Sequence, residues 1–107
     1  MQESTAVQTT EREVFSPSQL VRLVRNLLED AFPLIWVVGE LSNVLCAASG
    51  HMYFALKDTQ AAVRCAMFKP RSTYLRFKPA DGMRVLARVR VGLYEARGEF
   101  QLVVEHL

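Results

Sequence analysis

Residues 83–94 read MRVLARVRVGLY. Met83, Val85, Ala87, Val89 and Val91 share one parity; Arg84, Leu86, Arg88 and Arg90 share the other. Successive side chains of a strand point to opposite faces, so this stretch predicts a strand with an apolar inner face and a basic outer one. Ala96-Arg97-Gly98 then turns the chain and Glu99–Val104 returns. Pro79–Gly82 is the turn before the strand. Further back, 51–57 (HMYFALK) alternates in the same way, with Met52, Phe54 and Leu56 opposed to His51, Tyr53, Ala55 and Lys57. Asp58-Thr59-Gln60 is a hairpin turn into Ala61–Phe68, where Val63, Cys65 and Met67 oppose Arg64, Ala66 and Phe68. Leu34–Val44 is a long strand interrupted by Gly39, and a glycine within a strand marks a bulge or bend. Lys69–Phe77 is polar and basic and reads as a short helical crossover.

Before the strands lies one helix. Ser16-Pro17-Ser18-Gln19 supplies a capping serine, a proline for the first turn and a capping-box glutamine. Leu20, Leu23, Val24, Leu27, Leu28 and Ala31 follow at helical spacing, and Pro33 stops the helix, giving about 17–32. One helix, three strands, a crossover and two strands predict a mainly β domain. A five-stranded OB-fold barrel is the leading architecture, and a flat sheet is the competitor.

The chain has 107 residues, of which 50% are hydrophobic and 22% charged. This is one globular domain's composition and excludes a disordered chain or a fibre. Its apolar runs are too short for a membrane-spanning helix. Met1–Glu13 lacks the basic start and apolar core of a secretory signal. Residues 1–14 therefore read as a disordered leader and 15–107 as the domain. Cys46 and Cys65 are too few for a disulfide framework. They read as a loop thiol and a core residue in a reduced, cytoplasmic setting. No Asp, Glu and His set has metal-ligand spacing, and no cofactor is implied. Cys46 and His51 lack the third orienting group of a thiol nucleophile.

Charge is segregated. Residues 1–58 hold four Lys/Arg against seven Asp/Glu, whereas 64–98 hold nine against two. Seven of those nine are arginines, whose planar fork suits phosphates and base edges. A polyanionic partner follows, with simple surface solubilisation as the alternative.

Several stretches together, from Phe15 to the last residue, resemble one family. They are FSPSQL (15–20), WVVGELSN (36–43), SGHMYFALKD (49–58), MF (67–68), GMRV (82–85) and GLYEARGEFQL (92–102). In this order they resemble the N-terminal OB domain of the bacterial exodeoxyribonuclease VII large subunit. The resemblance implies single-stranded DNA as partner and a parent enzyme that hydrolyses it to oligonucleotides. It places the catalytic residues in polypeptide beyond Leu107, along with the segments that assemble with a small subunit. This domain alone is expected to be non-catalytic. Two departures stand out. The segment 44–49 (VLCAAS) is apolar where basic or polar residues are expected, and Met52 replaces a common aromatic.

An OB-fold groove grips single strands with aromatic platforms and cations. The candidate contacts are His51, Tyr53, Lys57, Arg64 and Phe68 on the second and third strands. Arg84, Arg88 and Arg90 on the fourth strand and Arg97 at the last hairpin join them. Phe68 and Tyr53 suit packing as well as stacking, and His51 suits a backbone hydrogen bond. Arg88 and Arg90 suit a neighbouring domain equally. Trp36 shares parity with Glu40 and Ser42, but a bulge at Gly39 would flip it, and we assign it to the core. The rival functions are a docking or self-associating module and a tRNA-anticodon-type OB domain.

Overall fold

The computed structural model describes residues 13–107. Most of the expected 1–14 leader therefore lies outside the described residues. The elements are α1 (Pro17–Ala31), β1 (Ile35–Cys46), β2 (Met52–Lys57), β3 (Ala62–Met67), β4 (Arg84–Tyr94) and β5 (Glu99–His106). A one-turn 3-10 helix, Arg71–Tyr74, forms the crossover. The strands close into a barrel in the order β1-β2-β3-β5-β4, so the flat sheet is excluded. All neighbours are antiparallel except β3 and β5, which close the barrel in parallel through Arg64–Ala66 and Gln101–Val103. This is the five-stranded OB-fold with one N-terminal helix.

The alternations become the barrel interior. Leu41, Met52, Phe54, Leu56, Cys65, Met67, Ala87, Val89, Val91, Leu102 and Val104 form one buried cluster. Each fully buried aliphatic side chain stabilises the fold by roughly 1.5–3 kcal/mol relative to exposure. Ala66, expected to face outward, is instead fully buried. Its strand lies between β2 and β5, and Tyr53 and Val103 flank it in register.

The first strand holds the main correction. Gly39 is not a bulge: the pairing of β1 with β4 runs unbroken from Ile35 to Glu40. The irregularity lies between Ser42 and Leu45, where Asn43 takes φ 55°. Asp81 Oδ1 accepts from Val44 N–H at 2.9 Å and ties that irregular stretch to the turn before β4. Gly39 is needed for another reason. A Cβ there would sit 3.2 Å from the Lys57 carbonyl oxygen, where β1 passes from β4 to β2. Because parity survives through Gly39, Trp36, Val38 and Glu40 all face outward. Trp36 is 51% exposed, which overturns its assignment to the core.

The capping box of α1 is present. Ser16 Oγ accepts from Gln19 N–H at 3.2 Å, and Gln19 Oε1 accepts from Ser16 N–H at 2.8 Å. Phe32 N–H donates to the Leu28 carbonyl and Pro33 follows. Leu28 packs on the core, Arg25 pairs with Glu95, and Gly98 approaches Val21. The helix thus braces the β4–β5 hairpin. Only part of its apolar stripe is used: Leu20, Leu23 and Leu27 stay exposed.

Candidate nucleic-acid interface

The outer face of β2 and β3 carries Tyr53, Lys57 and Arg64. Tyr53 lies between Leu45 of β1 and Ala66 of β3, and Arg64 lies between Ala55 of β2 and Gln101 of β5. Tyr53, Leu45, Asn43, Arg64 and Gln101 line a shallow groove of about 600 Å³. The phenol is partly open to solvent, so a base can reach it. The two cations are not free. Arg64 Nε lies 3.5 Å from Glu99, and Lys57 Nζ lies 4.0 Å from Glu40. All four side chains are well exposed, so these pairs are weak and a phosphate can compete with them.

His51 and Phe68 stand at one end of the same strands. Their rings meet edge to face at 5.3 Å. His51 Nδ1 accepts from Lys69 N–H at 3.0 Å, and its carbonyl accepts from Ala47 N–H at 2.9 Å. A neutral ring that accepts at Nδ1 carries its proton on Nε2. The histidine therefore ties the β1–β2 loop to the start of the crossover, while Phe68 remains partly exposed.

The four other candidate arginines are spread over three further places. Arg84 and Arg88 share the outer face of β4, opposite Glu40 and Trp36 of β1. Arg88 Cζ lies 5.4 Å from the Trp36 ring centroid, a cation–π contact. Arg90 faces Val103, and its Nε donates to Glu105 Oε2 at 2.5 Å. Arg71 also approaches Glu105, at 3.8 Å. The hydrogen bond from Arg90 is the main reason why the Glu105 carboxyl is held below the usual carboxylate range. Arg97 sits in the β4–β5 turn, exposed. The structure thus brings Tyr53 and Arg64 into one groove with Lys57 further along the same face, keeps His51 and Phe68 at their edge, and separates the β4 arginines from them.

Residue-by-residue reading missed Trp36, Leu45 and Gln101. Strict parity through Gly39 finds Trp36. Leu45 follows the Ser42–Leu45 irregularity, which parity alone does not reveal. Gln101 enters through the parallel pairing of β3 with β5, a long-range contact with no local signal.

Asp58 caps the β2–β3 turn. Its Oδ1 accepts from the N–H groups of Gln60 and Ala61 at 2.8 and 2.9 Å, which lowers its pKa. Cys46 is exposed and Cys65 buried, and burial pushes the Cys65 thiol up to about 12. Among the described residues no group of three His, Cys, Asp or Glu is placed to hold a metal ion. No described helix is long and apolar enough to cross a membrane.

A closed five-stranded barrel with an aromatic and basic outer face defines a class of nucleic-acid-binding domain. The chain belongs to the OB-fold nucleic acid binding domain family, which matches residues 15–107. It is 60% identical over 95 residues to the exodeoxyribonuclease 7 large subunit of Xanthomonas campestris pv. campestris (strain B100), and 61% identical to that of Xylella fastidiosa (strain M23). Each match covers 89% of this chain and 21% of the relative, so the chain spans about a fifth of their length. Among solved structures, it resembles the second OB-fold domain of replication protein A from Methanococcus maripaludis. The TM-score is 0.51 at 12% identity, over 67% of this chain and 78% of that one. It also resembles a putative aspartyl-tRNA synthetase from Leishmania major Friedlin. There the TM-score is 0.59 at 14% identity, over 99% of this chain and 22% of that one. At such identities the two structures speak for the fold alone.

Proposed function

We propose that this chain captures single-stranded DNA on the β2/β3 face, as the substrate-binding part of an exodeoxyribonuclease VII large subunit. The observation that carries the reading is the open Tyr53 groove with Arg64 in its lining and Lys57 further along β2. The 60% identity to large subunits of that name supports the choice of DNA. Tyr53 stacks on an unpaired base, Arg64 and Lys57 exchange their carboxylates for phosphates, and Gln101 offers an amide to a base edge or sugar. Phe68 and His51 extend the surface at one end, and Arg97 at the β4–β5 turn adds a phosphate contact. Every base has a stackable face, so binding has little sequence preference. Hydrolysis of the strand to oligonucleotides, and contact with the small subunit, belong to other polypeptide of the large subunit. The setting is the cytoplasm.

Fluorescence anisotropy of labelled single-stranded DNA, duplex DNA and single-stranded RNA tests this reading. The expected result is preference for single-stranded DNA, with log affinity falling by about 0.7 per log salt for each phosphate neutralised. Equal affinity for duplex, or a salt-independent affinity, overturns it. Preference for RNA moves the chain to the anticodon-type reading.

The exposed Leu20, Leu23 and Leu27 of α1 favour a second reading, a docking or self-association module. Size-exclusion chromatography with light scattering tests it, and a strict monomer that binds single-stranded DNA tightly counts against self-association.

A further inference from the structure

The outer face of β1 and β4 is built unlike an ordinary solvated strand pair. Its cross-strand pairs are Trp36 with Arg88, Val38 with Leu86 and Glu40 with Arg84. Trp36 is 51% exposed, and Val38 and Leu86 are each 53% exposed. The indole is held in place, with the Arg88 guanidinium over its ring and the His106 ring edge-on at 6.1 Å. Beside it a groove of about 640 Å³ runs past Phe77, Met83, Arg84, Leu86 and His106, with no acidic side chain in its lining. Among the described residues neither Arg84 nor Arg88 has a carboxylate within salt-bridge distance, whereas Arg64, Lys57 and Arg90 all do.

We infer that this face is a second contact for the same single strand, in which Trp36 stacks on a nucleobase and Arg84 and Arg88 take the phosphates beside it. The inference rests on the nucleic-acid reading above and extends it to a surface away from β2 and β3. Three features carry it. An aromatic already fixed by its neighbours loses little freedom on stacking. Cations with no carboxylate within salt-bridge distance meet phosphates without first breaking an ion pair. The two faces also share β1, which pairs with β4 before Glu40 and with β2 after it. A strand that follows β1 therefore reaches both Tyr53 and Trp36. Val38 and Leu86 supply apolar ground under sugars and base faces between the two cations.

Trp36 is the single tryptophan of the chain, so its emission reports on this face alone. The experiment titrates the full chain with oligothymidylates of increasing length, reading label anisotropy and Trp36 emission together. The expected result is quenching of Trp36 as longer oligomers bind. Trp36→Ala is expected to weaken binding about tenfold at unchanged melting temperature, with Trp36→Phe restoring most of the affinity. Anisotropy that rises with no change in Trp36 emission, at any oligomer length, overturns the inference. It leaves the β2/β3 reading standing and turns this face over to a protein partner. Oligomers that bind nowhere on the chain overturn both. If Trp36→Ala fails to fold, the wild-type emission decides alone, with Arg84→Gln and Arg88→Gln as the supporting variants.

Discussion

The two open faces of the barrel share β1 and differ in how they hold their cations. On β2/β3, Arg64 and Lys57 each have a carboxylate neighbour, and the aromatic on the same face is a partly covered tyrosine. On β1/β4, Arg84 and Arg88 have no carboxylate within salt-bridge distance among the described residues, with Glu40 opposite Arg84 in register, and the aromatic is a half-exposed tryptophan. Paired cations keep a surface soluble and return their carboxylates to water when a phosphate arrives. Cations without a close carboxylate contribute more of their charge to the field around the face. The first face suits exchangeable capture and the second a firmer hold. Position in the fold alone does not separate them, since both lie on the outside of one barrel.

Breaking the shared strand has the largest expected effect. Gly39→Val places branched carbons where even a Cβ lies 3.2 Å from the Lys57 carbonyl oxygen. Backbone cannot yield as a flexible side chain does, so the cost is about 1–3 kcal/mol of stability. Thermal melting followed by circular dichroism measures it. Both faces then lose affinity together, and a variant that melts like the parent refutes the close approach as the reason for this glycine.

Next in size is the aromatic of the first face. If Tyr53 stacks on a base as proposed, Tyr53→Ala is expected to cost about 1–3 kcal/mol of binding. Anisotropy with single-stranded DNA gives the value. Unchanged affinity in Tyr53→Ala takes the β2/β3 face out of the binding surface.

Most of the barrel was readable because its inner faces alternate strictly. Met52, Phe54 and Leu56 in β2 and Ala87, Val89 and Val91 in β4 all lie in the core as their parity requires. The helix start was readable because Ser16, Pro17 and Gln19 make a local capping signal that needs no tertiary partner. The site was less legible. Trp36 was misplaced because a glycine in a strand suggests a bulge, yet here it relieves a close contact and leaves parity intact. Arg90 reads as a free outward cation, yet Glu105, fifteen residues on, binds it across the β4–β5 pair. Ion pairs between strands depend on register, and no local pattern encodes which carboxylate arrives opposite which arginine.

Salt dependence separates the two faces more finely. Replacing Arg84 and Arg88 together by glutamine is expected to lower the salt slope of binding by about 1.4, at about 0.7 per lost phosphate contact. Replacing Lys57 and Arg64 in the same way is expected to lower it less. When phosphates displace Glu40 and Glu99, the freed carboxylates take up counterions, so each of these contacts releases fewer on balance. Equal slopes for the two double variants erase the distinction between paired and unpaired cations.

The smallest effect belongs to Arg90, the cation most firmly held. Glu105 accepts its hydrogen bond and also faces Arg71, so the folded carboxyl titrates below its unfolded value. A depressed carboxylate stabilises the fold at pH above its unfolded pKa of about 4.3. That contribution is lost as pH falls through the folded value. Glu105→Gln is therefore expected to cost about 0.2–1 kcal/mol near neutrality, as for other partly exposed pairs, and to flatten the melting curve's dependence on acid pH. The same variant releases Arg90. If an internal carboxylate is what keeps this arginine from the strand, single-stranded DNA binds Glu105→Gln slightly tighter, with a steeper salt slope. If affinity stays level while stability falls, Arg90 serves the barrel alone, and the cations that touch the strand are those of the two faces.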